Sequence, residues 1–384
     1  MKKGFIAKLF ASVTALTCAF SIAACSKDEP TKNDNGTNGS QTKKTEYQML
    51  GTVTHGNLYF LSKNSEEKFD TTASLQSLIG KKVGVVQLPN VPGLILKLIL
   101  QKNNVPFKQI EPADKAAEDK VNLLAISSDN AAATIVANAE NYDCFVAADP
   151  LVTLKTKQNL FRSGSLQALY GENGYPQAVI VGKSAFLKQY PEWTNKFMEK
   201  LSGADEYLAE TDAAAILAPY TAAYTADGRT GSWNAKNLNA ASVANCNVKF
   251  EASATCKTAV TTIVTEMFEI QSQTAPTLTA PTLTDAFFYL PPESGVNTMS
   301  ADMASFMIAP KTPEETIVYS PDGAPALILA ELMAEGTLED TAITCKIVSP
   351  DTIGTYVSYQ GDQQYKNADF CILPVNMAAK LLGR

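Results

Sequence analysis

An α/β fold of two similar lobes, each a small, mostly parallel sheet flanked by helices with a cleft between them, is what this sequence predicts, and three observations carry the expectation. Apolar runs of strand length alternate with segments of helical period, as in successive β-α-β units. Two distant stretches echo each other: Val83-Gly-Val-Val-Gln-Leu-Pro-Asn-Val-Pro-Gly-Leu-Ile-Leu96 and Ile317-Val-Tyr-Ser-Pro-Asp-Gly-Ala-Pro-Ala-Leu-Ile-Leu329 both run strand, Pro-containing turn, then a helix opening on a small residue and Leu-Ile-Leu. A weaker echo relates Asp143-Cys-Phe-Val-Ala-Ala-Asp-Pro150 to Asp369-Phe-Cys-Ile-Leu-Pro374. About 340 residues follow a polar N-terminal stretch, enough for two lobes.

Lys2, Lys3 and Lys8 precede an apolar stretch over 9–20 that is too short to span a bilayer, and Ser21-Ile22-Ala23-Ala24-Cys25 follows. That ending resembles a bacterial lipobox, which implies that 1–24 is a lipoprotein signal and that Cys25 becomes the lipidated first residue. Residues 25–44 are polar, without an apolar period, and read as a disordered tether. Losing the signal removes three lysines and no acid, so the net charge of −7 becomes −10, which argues against a nucleic-acid partner.

Strands are expected at 83–87, 143–148 (closing at Asp149-Pro150) and 178–182. Helices are expected at 93–102, from Ser184, from Pro191 (Pro fits a first turn), and over 207–224 and 258–271. Thr274-Ala-Pro-Thr-Leu278 repeats at once as Thr279-Ala-Pro-Thr-Leu283, and 291–313 is rich in Pro, Ser, Thr and Met, so these read as loop and linker. The α/β pattern resumes with strand 316–319, helix 325–335, strand 343–348, a helix around 352–359, strand 369–373 and helix 376–382.

His55 is the only histidine, so a multi-His zinc site is excluded. No CxxC, GxSxG, GxxxxGK[ST] or GxGxxG occurs; no metal, no cofactor and no catalytic residue is expected. Export permits disulfides, and Cys246 with Cys256 is the pair close in sequence, a bridge or two free thiols. Cys144, Cys345 and Cys371 sit in apolar runs and read as buried thiols.

With these pieces in place, the chain resembles the type II periplasmic binding proteins of ABC importers, in the nitrate, sulfonate, taurine and thiamine-precursor branch. The resemblance rests on Leu78-Ile-Gly-Lys-Lys-Val-Gly-Val-Val86, Tyr142-Asp-Cys-Phe-Val-Ala-Ala-Asp-Pro150, Ala178-Val-Ile-Val-Gly-Lys-Ser-Ala-Phe-Leu-Lys-Gln-Tyr-Pro-Glu-Trp193, Tyr319-Ser-Pro-Asp-Gly-Ala-Pro-Ala326 and Ala368-Asp-Phe-Cys-Ile-Leu-Pro-Val-Asn376. The order departs from the family's: the unit that opens the family's chain comes last here, and Asp285-Ala-Phe-Phe-Tyr-Leu290 resembles a family C-terminus. A circular permutation is the expectation, with a gene fusion or a chain built from fragments as the alternative. Lobe I then comprises 45–77, 184–290 and 315–384, lobe II 78–183, and 291–314 joins the old termini. Crossing strands are expected near 54–61 and 178–182.

The resemblance implies an extracytoplasmic receptor rather than an enzyme: a lipid-anchored monomer that closes on a small polar or anionic solute and delivers it to a membrane permease and its ATPase. The alternatives are an enzyme like those of thiamine-pyrimidine synthesis, or a surface lipoprotein without a transport role. Ligands of open α/β sheets bind beyond the carboxyl ends of strands, where helix N-termini present free N–H groups. That places Asp322, Gly323, Ala324 and Pro325, then Pro374 and Asn376, and then Thr54, His55 and Asn57 on one rim. Gln87, Leu88, Pro89 and Asn90, with Asp149, form the opposite rim. Asp322 and Asn90 serve equally well as turn or helix caps, His55 as a surface-loop residue, and Asp149 as a cap or lobe contact. Tyr170 and Tyr175 are candidates to stack on a planar solute.

Overall fold

The computed structural model describes residues 46–127, 131–137, 139–224, 230–291, 312–360, 363–364 and 368–383. Fifteen strands occur among them: β1 (Tyr47–Thr54), β2 (Leu58–Ser62), β3 (Lys82–Val86), β4 (Phe107–Gln109), β5 (Val121–Ile126), β6 (Cys144–Ala148), β7 (Phe161–Ser165), β8 (Ala178–Lys183), β9 (Val248–Ala252), β10 (Glu315–Pro321), β11 (Thr337–Leu338), β12 (Thr341–Val348), β13 (Tyr359–Gln360), β14 (Gln363–Gln364) and β15 (Phe370–Pro374). They form a seven-stranded sheet in the order β11-β12-β10-β15-β8-β1-β9, a six-stranded sheet in the order β4-β5-β3-β6-β2-β7, and the small pair β13-β14.

The echo in the sequence is an echo in topology. In the first sheet β10 lies between β12 and β15, all parallel; in the second β3 lies between β5 and β6, all parallel. In each trio the earliest strand is central and its two successors flank it. Each trio is then closed by an antiparallel strand that arrives from the other sheet, β8 beside β15 and β2 beside β6. The chain thus crosses twice, once over residues 55–57 between β1 and β2, and once between β7 and β8 through the helix Leu166–Tyr170.

Side chains alternate across a strand, so strands that read as continuous apolar runs must bury both faces. One core holds the inner faces of both sheets, with Met49, Val181 and Leu373 from the first and Phe60, Val85 and Val146 from the second. Helices Val91–Lys102 and Ser253–Ser272 pack on each other within it, pinned at their ends by Lys102 on Glu266 at 2.6 Å and by Gln273 Nε2 donating to Gln101 Oε1 at 2.7 Å. The outer face of the first sheet is sealed by an aromatic stack in which Phe197 lies 5.5 Å from Trp193 and 4.4 Å from Phe370. Tyr59, Leu61 and Phe145 belong to the outer core of the second sheet.

Several expectations need correction. The second sheet begins at Leu58 rather than at residue 78, and β8 belongs to the first sheet, because only three residues separate β1 from β2 and the sheet change falls inside one apolar run. The helix expected over 207–224 is two, Ala204–Glu210 and Ala213–Ala223, separated at Thr211 and Asp212. The stretch 352–359 makes only the 3-10 turn Ile353–Tyr356, and the helix expected from Pro325 opens as the 3-10 segment Ala324–Leu329 before Ala330–Glu335 turns α-helical. Cys246 and Cys256 are buried free thiols, like Cys144 and Cys371. The five residues of β9 run extended between them, about 16 Å of chain at the rise of a strand, whereas a disulfide needs Cα atoms about 6 Å apart. Residues 292–311 and 1–45, with the linker, signal and Cys25, lie outside the described residues. No helix among the described residues is long and apolar enough to cross a membrane.

Candidate functional site

The carboxyl ends of the two parallel trios converge on a cavity of ≈ 500 Å³. On the second-sheet side β3 ends at Val86, and the chain turns through Gln87 at φ 58° into helix Val91–Lys102. Gly93 makes that turn possible: a Cβ there would lie 1.9 Å from the Leu88 carbonyl oxygen. Asn90 caps the helix in position only, since its side chain makes no capping bond. The first N–H groups of a helix have no intrahelical partner, and Val91, the first residue of this one, lines the cavity.

β6 runs into Asp149, whose side chain is fully buried. Its Oδ1 accepts from the Thr153 N–H at 2.8 Å and its Oδ2 from Arg162 at 2.9 Å, while the Arg162 guanidinium lies 4.1 Å from the Tyr59 ring centre. Burial pushes the Asp149 carboxyl above its ordinary range, against the pull of the Thr153 and Arg162 bonds. Asp149 therefore wedges the turn and has no oxygen to spare for a solute.

On the first-sheet side β10 leads into Asp322 and Gly323, the latter at φ 110°, a region in which glycine carries no steric penalty. The Asp322 carboxylate is engaged within the protein: it accepts the Tyr220 hydroxyl, and its Oδ2 accepts both the Ser232 hydroxyl at 2.8 Å and the Ser232 N–H at 3.0 Å. Trp233 Nε1 donates to the Gly323 carbonyl at 3.0 Å. These bonds seat residues 230–237 on the first sheet's side of the cavity, and Lys157 of the second lobe donates to the Lys236 carbonyl. Asp322→Ala is expected to cost about 1–3 kcal/mol, the penalty for stranding buried hydrogen-bonding groups. Amide exchange should speed up across 230–237 while the rest of the sheet keeps its protection.

β15 leads through Pro374 into helix Val375–Leu382, where the Val375 N–H donates to the Gln177 carbonyl at 3.0 Å. Asn376, in the first turn, lines the cavity, and its side-chain oxygen is buried without a partner.

At the floor the two crossings are tied by a reciprocal pair: the Asn57 N–H donates to Gln177 Oε1 at 3.1 Å, and Gln177 Nε2 donates to Asn57 Oδ1 at 2.8 Å. Asn57 Nδ2 also reaches the Asp149 carbonyl at 3.3 Å.

The structure thus brings Asn57, Gln87, Asn90, Asp149, Asp322, Gly323, Ala324, Pro325, Pro374 and Asn376 to one cavity. Four expected residues lie elsewhere. Leu88 is fully buried in the core, and Pro89 is exposed outside the cavity lining. Thr54 is buried in the sheet at the end of β1. His55 faces away from the cavity because the chain changes sheets there, with Gly56 at φ 93°. Its Nε2 lies 3.1 Å from Glu251 Oε2 and 3.1 Å from Thr52 Oγ1. It borders a separate depression of ≈ 930 Å³ walled by residues 171–174, helix Ala240–Ala244 and β9. That depression is larger, but no parallel strand ends there, so the smaller cavity is the candidate site.

Tyr175 is fully buried, edge-on to Tyr170 at 5.5 Å, and the Tyr170 hydroxyl donates to Glu266 at 3.0 Å, so neither ring stacks in the cleft. Gln177 and the segment 230–237 were not foreseen. The only sequence signal was Gly231-Ser-Trp-Asn234, a tryptophan among turn residues. Among the described residues lining the cavity, the charged ones are Asp149 and Asp322.

Two α/β lobes, twice crossed by the chain, with a cavity between facing strand ends, define a two-lobed fold of the type II periplasmic-binding kind. Residues 44–215 match the family model described as NMT1/THI5 like. No curated protein matches the chain. Solved structures similar to it include an ABC transporter from Parabacteroides distasonis, at 13% identity over 64% of this chain and 74% of that one with a TM-score of 0.44. Another is the ligand-binding component of an ABC-type import system from Staphylococcus aureus with zinc bound, at 10% identity over 71% and 77% with a TM-score of 0.37. Both scores are low, and the fold assignment rests on the chain's own strand order.

Proposed function

We propose that the chain is the extracytoplasmic solute receptor of an ABC importer, which captures a small molecule between its lobes and hands it to a membrane permease. The observation that carries this reading is the cavity itself, closed by strand-end turns from both lobes and floored by the two crossings that Asn57 and Gln177 tie together. Such a floor is a hinge, and a solute favours closure by whatever contacts it makes better in the closed state. Binding is favoured over catalysis because both carboxylates on the wall are engaged by protein partners, which leaves no free general base there among the described residues.

The lipobox-like Ser21-Ile22-Ala23-Ala24-Cys25 supports anchoring at the outer face of a membrane through acylated Cys25. The permuted order is supported by the matching trios and by Phe288 and Tyr289, which lie against Met49 of β1, the Tyr289 N–H donating to the Met49 carbonyl at 2.7 Å. A cognate small molecule at about a hundred times its Kd adds about 2.7 kcal/mol to the folded state, so melting should rise by about 5 °C while the radius of gyration measured by solution scattering falls. A broad solute library in which no member moves either quantity would remove the receptor reading.

A further inference from the structure

Seven carboxamide side chains line the cavity, and they divide cleanly. Asn57 and Gln177 are bound to each other, and Asn237 is fixed between the Asn234 N–H and the Ser232 carbonyl, both at 2.8 Å. The other four keep hydrogen-bonding capacity among the described residues: there Gln87 and Asn90 on the second lobe make no side-chain bond, Asn234 uses only its oxygen, on the Lys236 N–H, and Asn376 has a partnerless buried oxygen. Each lobe therefore offers two such carboxamides, with apolar groups beside them that include Val86, Val91, Leu154 and Met377.

The fixed charges of the wall oppose each other. The helix beginning at Val91 turns the positive end of its dipole to the cavity. Asp322, in contrast, is held by the neutral groups of Tyr220 and Ser232, and among the described residues no cation pairs with it. Asp149 is offset by Arg162, and no Lys, Arg or His stands among the described lining residues. An anion meets Asp322, a cation meets the helix end, and an uncharged solute meets neither penalty.

We propose, building on the receptor reading above, that the solute is an uncharged, planar small molecule with an amide- or ureido-type edge. Such an edge sets a donor beside an acceptor, the complement of an open carboxamide, and it supplies the N–H that the Asn376 oxygen lacks once that amide turns toward the cavity. Asp322 and Asp149 then act as positioning residues that do not touch the solute.

The test is calorimetric titration of the full chain with three groups of probes: uracil, allantoin and nicotinamide as uncharged amide-edged molecules, nitrate and ethanesulfonate as anions, and choline as a cation. The expected result is binding within the uncharged group only, insensitive to 0.5 M NaCl as befits a neutral ligand. Asn376→Ala and, on the other lobe, Asn90→Ala should each weaken it by about 3- to 10-fold with the melting temperature of the free protein retained. Preferential binding of an anion or of choline overturns the inference and leaves the receptor reading standing. An absence of binding in all three groups overturns the inference, and the broad solute library then decides the receptor reading.

Discussion

Gly93→Ala is expected to lower stability by about 3 kcal/mol and to abolish solute capture. The added methyl would stand 1.9 Å from the Leu88 carbonyl oxygen and 2.7 Å from its Cα, and these are backbone atoms that cannot swing aside as a side chain can. Either the turn 87–90 or the start of helix Val91–Lys102 must move. Leu88 is fully buried and Leu94, Ile95 and Leu96 are nearly so, so the turn and the helix are each locked into the core. Movement of either displaces Gln87, Asn90 and Val91, all on one wall of the cavity. Chemical denaturation measures the first effect and titration with the solute the second. A variant that binds as the parent does would show that this wall takes no part.

Arg162→Met is the second large effect. It leaves the fully buried Asp149 side chain without its cation, a change that costs about 3 kcal/mol, toward the low end for buried pairs because the Arg162 side chain is itself 30% exposed. The pH dependence has a definite sign. Burial already holds the Asp149 carboxyl above its ordinary range, so its contribution to stability is full below the unfolded-state pKa and is lost as pH rises through the folded-state value. Removing Arg162 raises the folded-state value further. The deficit of the variant should therefore shrink as pH falls and Asp149 takes up a proton, and melting curves at a neutral and a mildly acid pH read it directly. A deficit that stays the same at both pH values would mean that Arg162 acts only by packing on Tyr59.

The local elements were legible where a period and a boundary signal coincide. Helix Val91–Lys102 is an apolar run with Pro92 in its first turn, and β3, β6, β8, β10, β12 and β15 are β-branched or aromatic runs bounded by turns. Strands with mixed patterns escaped notice: β7 reads Phe-Arg-Ser-Gly-Ser and β9 Val-Lys-Phe-Glu-Ala, and each sits at a sheet edge, where pairing rather than composition makes the strand. The helix break at Thr211 and Asp212 was hidden because alanines on both sides favour helix equally.

For the site, strand-end turns indicated the right neighbourhood but not which atoms were free. Asp322 and Asn376 looked alike as polar turn residues. Partners about 90 and 100 residues away in the chain, Ser232 and Tyr220, occupy the first, while nothing occupies the oxygen of the second. His55 and Asn57, two residues apart, face different depressions because the chain changes sheets between them, and no local pattern reports a sheet change.

Taken alone, then, the order of residues determined the repeated strand-turn-helix units and hence two lobes that face each other, because period and turn chemistry act over a few neighbouring residues. The tertiary structure alone decided where the lobes divide, which carboxylates are already bonded and which carboxamides stay open to a solute. Those outcomes depend on contacts between residues far apart in the chain, whose hydrogen bonds are made only after both sheets have formed.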